Sequence, residues 1–414
     1  PLPDFSMSRI PWSLLFVLFL WTLAPNMTSA AGDPSEGVES EIPEDPFGPP
    51  PEGAVLGVEI GIDDPSGSSL ESLHRALRRA RDGEGKARIL FFGASHVASD
   101  LFTSVIRREL QTRFGDAGHG FILPAKPWKY YRHRNIKLDS NKRWKTHKIK
   151  VHHTETQSLG LAGVAVESSS RRAYGIVETA KKGPIGRTAS EFELYYQTSP
   201  KGGDLRVFID GKKMKNIRTR SRKLGTGYKT YKVIDAPHSF EVRPVGKKPV
   251  RLFGLSVERD EPGVIVDTLG INGARARYQL LWNQAIFREH LIKRNPDMVV
   301  IAYGTNESGD DEVPISDYEE KLTKVISQVR EIVGSASCLL IGPSDRPKRL
   351  EDGTLAPRPR TAAVVDTQRR VAHAHGCGFF DLVAFGGGPM SMVLWTSVDP
   401  PMGAPDYIHY TRRG

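Results

Sequence analysis

A chain of 414 residues is longer than one hydrophobic core usually supports, so about two domains are expected. Hydrophobic content of 39% with mixed charge is ordinary for a soluble globular protein. A net charge of +10 points to an anionic partner (nucleic acid, a membrane surface or an acidic cell-wall polymer), and two cysteines exclude a disulfide framework or a cysteine metal cluster.

Residues 7–31 have the layout of a secretory signal peptide. Arg9 supplies the basic start, Ile10 to Leu23 the apolar core, and Thr28-Ser29-Ala30-Ala31 the small-residue cleavage site. The apolar run is short for a membrane span of about 20 residues, so cleavage and export are expected, with no stable membrane span in the mature protein. Residues 1–6 precede Met7, the start that this pattern implies. Residues 32–55 are rich in Pro, Gly and acids and read as a disordered linker, because they bury too little apolar surface to offset ordering.

Leu70, Leu73, Leu77 and Ala80 recur at helical spacing and predict a helix over 70–81. The apolar run Ile89-Leu90-Phe91-Phe92 ends at Gly93 and predicts a buried strand, followed by a helix from about Asp100 to Arg113. From Lys126 to Lys150 ten Lys or Arg stand against one Asp, with Trp128, Tyr130, Tyr131 and Trp144 among them. Such a stretch suits stacking on nucleic-acid bases, stacking on the sugars of an acidic glycan, or simply a solvated basic face.

Residues 150–261 alternate instead, as in Phe192-Glu193-Leu194-Tyr195 and Leu205-Arg206-Val207-Phe208-Ile209, with Asp210-Gly211 as a hairpin turn. They predict an inserted β-sandwich between a first α/β part, 68–149, and a second, 262–414. Strand and helix then alternate: strand 264–266, helix 277–293, strand 298–303, helix 315–333, strand 338–341, helix 361–375 and strand 378–381. Five short apolar strands separated by helices predict a parallel sheet covered on both faces. Cys338 and Cys377 sit in two such apolar runs; one bridge and two buried thiols are both open readings.

Ligands bind beyond the carboxyl ends of the strands of an open parallel sheet. Ser95, in Gly93-Ala94-Ser95-His96, follows the first strand, where its hydroxyl can meet a substrate. Gly273 lies in the turn Leu269-Gly270-Ile271-Asn272-Gly273-Ala274 after the second, and Asn306 in Gly304-Thr305-Asn306-Glu307 after the third. A main-chain N–H and a carboxamide there are suitable donors to an oxyanion, although a tight turn and a helix cap would need the same residue types. Asp406 and His409 are three apart in a final loop, so the carboxylate can orient one ring nitrogen and leave the other to take a serine proton.

Together the blocks GASH, LGINGA, YGTNES and DYIH resemble those of the SGNH/GDSL hydrolases. The resemblance implies an α/β, flavodoxin-like three-layer αβα sandwich with a five-stranded parallel sheet and no cofactor. It implies Ser95 as nucleophile, His409 as general base and Asp406 as its orienting acid, with Ser95, Gly273 and Asn306 as oxyanion donors. Ala94 departs from the family, which usually has Asp there, so hydrogen bonding around Ser95 must differ. The chain also stops five residues after His409, short of a further helix usual in the family.

The inserted sandwich is similar to the one carried by peptidoglycan O-acetylesterases. The expectation is an exported O-acetylesterase acting on an acetylated cell-wall polysaccharide, with no nucleic acid as partner. An acetyltransferase, an acetyl-xylan-type esterase and a non-catalytic glycan-binding protein are the alternatives. No metal is expected: adjacent His152 and His153 would point to opposite faces of a strand, and His373 and His375 do not share a helix face.

Overall fold

The computed structural model describes residues 57–150 and 153–414. The expected signal peptide, the whole of the expected linker and His152 lie outside the described residues. Helix α1 (Glu71–Arg81) places Leu73, Ala76, Leu77 and Ala80 in the core, with Glu71 in its first turn and three arginines in its last. That polarity complements the helix dipole. Five strands then form one all-parallel sheet: β1 (Lys86–Gly93), β2 (Gly263–Gly270), β3 (Met298–Ala302), β4 (Ser337–Ile341) and β5 (Gly378–Phe380), in the order 2-1-3-4-5. This is the flavodoxin-like order, in which the sheet's carboxyl edge opens a crevice at the switch point.

The helices follow the prediction with two breaks. The first is short helix α2 (Ser95–Ala98), standing ahead of α3 (Phe102–Phe114). The second falls within the helix expected over 277–293. Ala276–Leu281 form a 3-10 turn, and α4 (Gln284–Arg294) starts only after Asn283 accepts a hydrogen bond from the Ile286 N–H (3.1 Å). Trp282, 1% exposed, occupies the break because its indole fills the main core. Helices α5 (Ile315–Ile332) and α6 (Pro359–Ala374) complete the layers. Cys338 and Cys377, both buried, are joined by a disulfide, so the reading as two thiols is corrected.

Two six-stranded antiparallel sheets form the sandwich. They enclose a core that includes Phe192, Leu194, Val207, Phe240, Val242 and Leu252, with Phe192 stacked on Phe240 at 5.1 Å between ring centroids. The sheets also take in strands Gly120–Ile122, Ile136–Ser140 and Lys145–Lys148. Sandwich strands therefore start ahead of residue 150, and the basic stretch contributes to them.

Chain exit and return are side by side. The Val264 N–H donates to Gly115 O (2.8 Å), and a Cβ on Gly263 would lie 2.3 Å from the same oxygen. A buried charge network joins the two units. The Arg294 guanidinium on α4 donates to both oxygens of Asp267 on β2 (2.5 and 2.8 Å) and to Glu258 on sandwich strand Val250–Glu258. Glu258 also takes Arg88 of β1 through two bonds of 2.6 and 2.8 Å, and Asp267 accepts the Phe121 N–H (2.7 Å).

Three histidines are embedded in the core as neutral rings. Burial lowers His290 to about 3 and His133 to about 4, and holds His119 well below its ordinary value. His119 and His133 share one hydrogen bond at 3.1 Å, which needs one donor and one acceptor nitrogen. The unfolded chain takes up these protons below about pH 6.5, so their contribution is complete above that pH and is lost as pH falls toward the folded values. Melting temperature should stay level down to about pH 7 and then drop steadily toward pH 4.5. A level profile across that range would contradict this account.

Candidate active site

Strands β1, β2 and β3 end in register: Gly93 lies opposite both Gly270 and Ala302. The loops that follow therefore leave one edge of the sheet together. Two glycines make the approach of α2 to that edge feasible. A Cβ at Gly93 would lie 2.3 Å from Val97 Cγ2, and one at Gly270 would lie 2.1 Å from the Ala98 nitrogen. Gly270 is thus needed for close packing, whereas Gly273, at φ +74° with open space beside it, is needed for its turn.

Ser95 is the first residue of α2, where helix geometry leaves the main-chain N–H without an intrahelical acceptor. Its Oγ is 2.7 Å from His409 Nε2. His409 Nδ1 is in turn 2.7 Å from Asp406 Oδ2. The carboxylate is held by its own loop, since Asp406 Oδ1 accepts the Ile408 and His409 N–H groups, each at 3.0 Å. Burial pushes the Asp406 pKa up, but hydrogen bonds from the His409 N–H, the His409 ring and the Ile408 N–H outweigh it, so the net shift is downward. Tyr407 between them takes φ +56°, an uncommon conformation for a bulky residue, and its N–H is bonded to Ala404 O (3.0 Å). The Ala404 N–H closes the loop onto His409 O (2.7 Å).

Asn306 does not cap the short 3-10 turn that follows it. Its Nδ2 donates to Ala274 O (2.9 Å) in the Gly273 turn, which leaves the second amide hydrogen for another acceptor. The side chain of Ala94 is buried in the main apolar cluster, and main-chain bonds hold its turn: Ala98 N–H to Ala94 O and Ser99 N–H to Ser95 O, both 2.9 Å.

Sequence reasoning passed over two neighbours, Glu307 and Ser344, while His96 stood out only as the residue beside Ser95. The buried Glu307 carboxylate accepts the Ala276 N–H (2.8 Å) and the Gly304 N–H (3.0 Å), so it braces the Gly273 and Asn306 loops against each other. Burial raises its pKa, against the pull of those bonds and of Arg275. Its place beside Asn306 was the one available signal. His96 donates from Nε2 to Ile408 O (3.1 Å), and burial, then the charge of His409, lowers its pKa to about 4. Ser344 Oγ reaches the same carbonyl at 3.3 Å.

Positive charge borders the site. Arg134, whose N–H donates to Asp100 (2.6 Å), has its pKa lowered first by burial and next by Arg412, with Asp100 opposing and Arg132 adding. Arg412 is three residues past His409, and its charge acts on Arg134 together with that of Arg132. Among the described residues no group of three or more His, Cys, Asp or Glu is placed to hold a metal ion, and no helix is long and apolar enough to cross a membrane.

A 2-1-3-4-5 parallel sheet with a serine, histidine and aspartate aligned at its carboxyl edge is an arrangement suited to serine-esterase chemistry. Residues 249–414 match the model of the GDSL-like Lipase/Acylhydrolase family. A solved peptidoglycan O-acetylesterase is 24% identical and superposes with a TM-score of 0.68, over 85% of this chain and 94% of that one, which makes the fold common to both. A family two carbohydrate esterase from Cellvibrio japonicus is 11% identical, over 57% of this chain and 88% of its own, with a TM-score of 0.22. A salicylyl-acyltransferase from a tetracycline biosynthetic pathway is 12% identical, over 61% and 86%, with a TM-score of 0.24. At those scores neither bears on this chain's chemistry. No curated protein matches the sequence.

Proposed function

We propose that this protein is an exported esterase that removes O-acetyl groups from an acidic cell-wall glycan, namely peptidoglycan. The continuous Ser95–His409–Asp406 hydrogen-bond chain, 2.7 Å at each link, carries this reading. In it, Ser95 Oγ attacks the acetyl carbonyl while His409 Nε2 takes the hydroxyl proton and Asp406 holds the opposite ring nitrogen. The oxyanion accepts hydrogen bonds from the Ser95 N–H, the Gly273 N–H and the free amide hydrogen of Asn306. His409 returns its proton to the departing sugar oxygen, and water, activated by the same ring, releases acetate from the acyl-enzyme.

Three observations support the choice of substrate. The His409 and Asp406 side chains are 42% and 48% exposed, which suits a polymer rather than an enclosed small ligand. Arg132, Arg134 and Arg412 suit a carboxylate-bearing chain. The solved esterase that shares the fold acts on peptidoglycan. Export is supported by the signal-like residues 7–31 and by the disulfide, which persists in oxidising compartments.

Acetate release is the direct test, with O-acetylated peptidoglycan assayed beside acetylated xylan. Release from peptidoglycan at the higher rate is expected. Release from xylan alone would keep the chemistry and reject the substrate, and release from neither would reject both.

A further inference from the structure

The sandwich sheet that faces away from the α/β unit carries charges that the fold itself does not neutralise. Along strand Asp204–Ile209, Leu205, Val207 and Ile209 point into the sandwich core, so Arg206 and Phe208 point outward. On the neighbouring strand Ser239–Pro244, Phe240 and Val242 point inward and Glu241 and Arg243 outward. The antiparallel register sets Arg243 directly opposite Arg206. Like charges in that position repel and destabilise a sheet unless something of opposite sign lies across them.

A third guanidinium completes the arrangement. Exposed Arg171, in the turn ahead of strand Gly175–Thr179, joins Arg206, Arg243, Phe208, Pro244 and Val245 around an open cleft of about 400 Å³. Glu241 bonds to the Arg243 Nε, and the Arg243 guanidinium lies 5.5 Å from the Phe208 ring centroid. Arg171 and Arg206 have no carboxylate partner among the described residues. The Arg206 Nε is buried and has no hydrogen-bond acceptor there either. An unsatisfied donor of this kind is costly unless an incoming group accepts from it.

We propose that this cleft binds a carboxylate of an acidic glycan and so tethers the polymer while the Ser95 site works on its esters. The proposal rests on the esterase reading above for its choice of polymer, but the cleft is a site of its own. A guanidinium fork matches a carboxylate with two parallel hydrogen bonds, and two forks facing one cleft can hold one such group between them. Phe208, Pro244 and Val245 supply an apolar floor for the non-polar face of a sugar or for a methyl group of its substituent.

The test is co-sedimentation with insoluble peptidoglycan from which O-acetyl groups have been removed by mild base, so that catalysis plays no part. The wild type should be retained, and the Arg171→Gln/Arg206→Gln variant should bind about tenfold more weakly, as loss of one or two charge-assisted hydrogen bonds implies. Peptidoglycan whose carboxyl groups have been converted to amides should retain the wild type no better than the variant is retained on untreated material. Turnover of 4-nitrophenyl acetate should be unchanged in the variant. If the double variant fails to fold, Arg171→Gln alone, in an exposed turn, should still weaken retention severalfold. Equal retention of wild type and variant, or full retention on the amidated polymer, overturns the proposal. Weakened retention in a protein that releases no acetate from peptidoglycan would support the cleft and overturn only the esterase substrate.

Discussion

Ser95→Ala should lower kcat for 4-nitrophenyl acetate by about four to six orders of magnitude while leaving the fold intact. The change removes one oxygen, at a half-buried position, from a turn that main-chain bonds and the glycines at 93 and 270 already hold. With that oxygen gone, His409 Nε2 has no hydroxyl to deprotonate, and water must attack without a positioned nucleophile. Some rate above the uncatalysed reaction should survive, because the proposed oxyanion donors do not depend on the hydroxyl. Initial rates with active-site titration measure the effect. A variant retaining even a tenth of wild-type turnover would place the nucleophile elsewhere and dismantle the assigned triad.

The second large effect concerns stability. Arg294→Met should cost about 3 to 5 kcal/mol, the usual range when one partner of a buried ion pair is removed. Arg294 is 3% exposed, and its loss leaves Asp267, 0% exposed, without its cation and strips Glu258 of one of its three. The charged form of Glu258 is costly to bury, and the Arg294, Arg88 and Lys86 charges overcome that cost, holding its pKa well below the carboxylate range. Such a depressed carboxylate stabilises the fold above the unfolded pKa of about 4.3 and ceases to do so as pH falls through the folded value. The defect should therefore be largest near neutral pH, where Glu258 is charged, and shrink in acid. Urea unfolding midpoints at pH 7 and pH 4.5 decide the point. A midpoint unchanged at pH 7 would mean that the network does not join the sheet to the sandwich energetically. Replacing Asp267 by Leu as well should recover part of the loss, because the two changes share one interaction.

The parallel sheet was legible because each strand is a short apolar run ending at a glycine or polar turn, and burial on both faces demands such runs. The aligned serine, histidine and aspartate were legible because all three lie in short blocks with fixed relations to strand ends. Other features depend on where distant segments meet. Strands Ile136–Ser140 and Lys145–Lys148 are partly exposed and rich in lysine, so their charge concealed their alternation. The helix break at Trp282 needed knowledge of the core that receives the indole. Pairing of Cys338 with Cys377 follows from adjacent strands that bring the two Cα atoms to 4.6 Å, a proximity invisible in a separation of 39 residues. The opposition of Arg206 and Arg243 exists only once a register is set, and Glu307 acquires its bracing role only when two loops converge on one carboxylate.

The adjacent ends of the sandwich at Gly115 and Gly263 bear on how such a protein changes over generations. For the parallel sheet, everything between those two glycines occupies the place of a single tight connection. Loop-closure entropy grows only slowly with length, so the gap the sheet must close stays the same whatever hangs there. Mutation can therefore lengthen, trim or recharge the outer face of the appended unit while the sheet edge that carries Ser95 keeps its geometry. The limit on that freedom is the patch where Arg294, Glu258 and Asp267 meet, which ties the graft to its host.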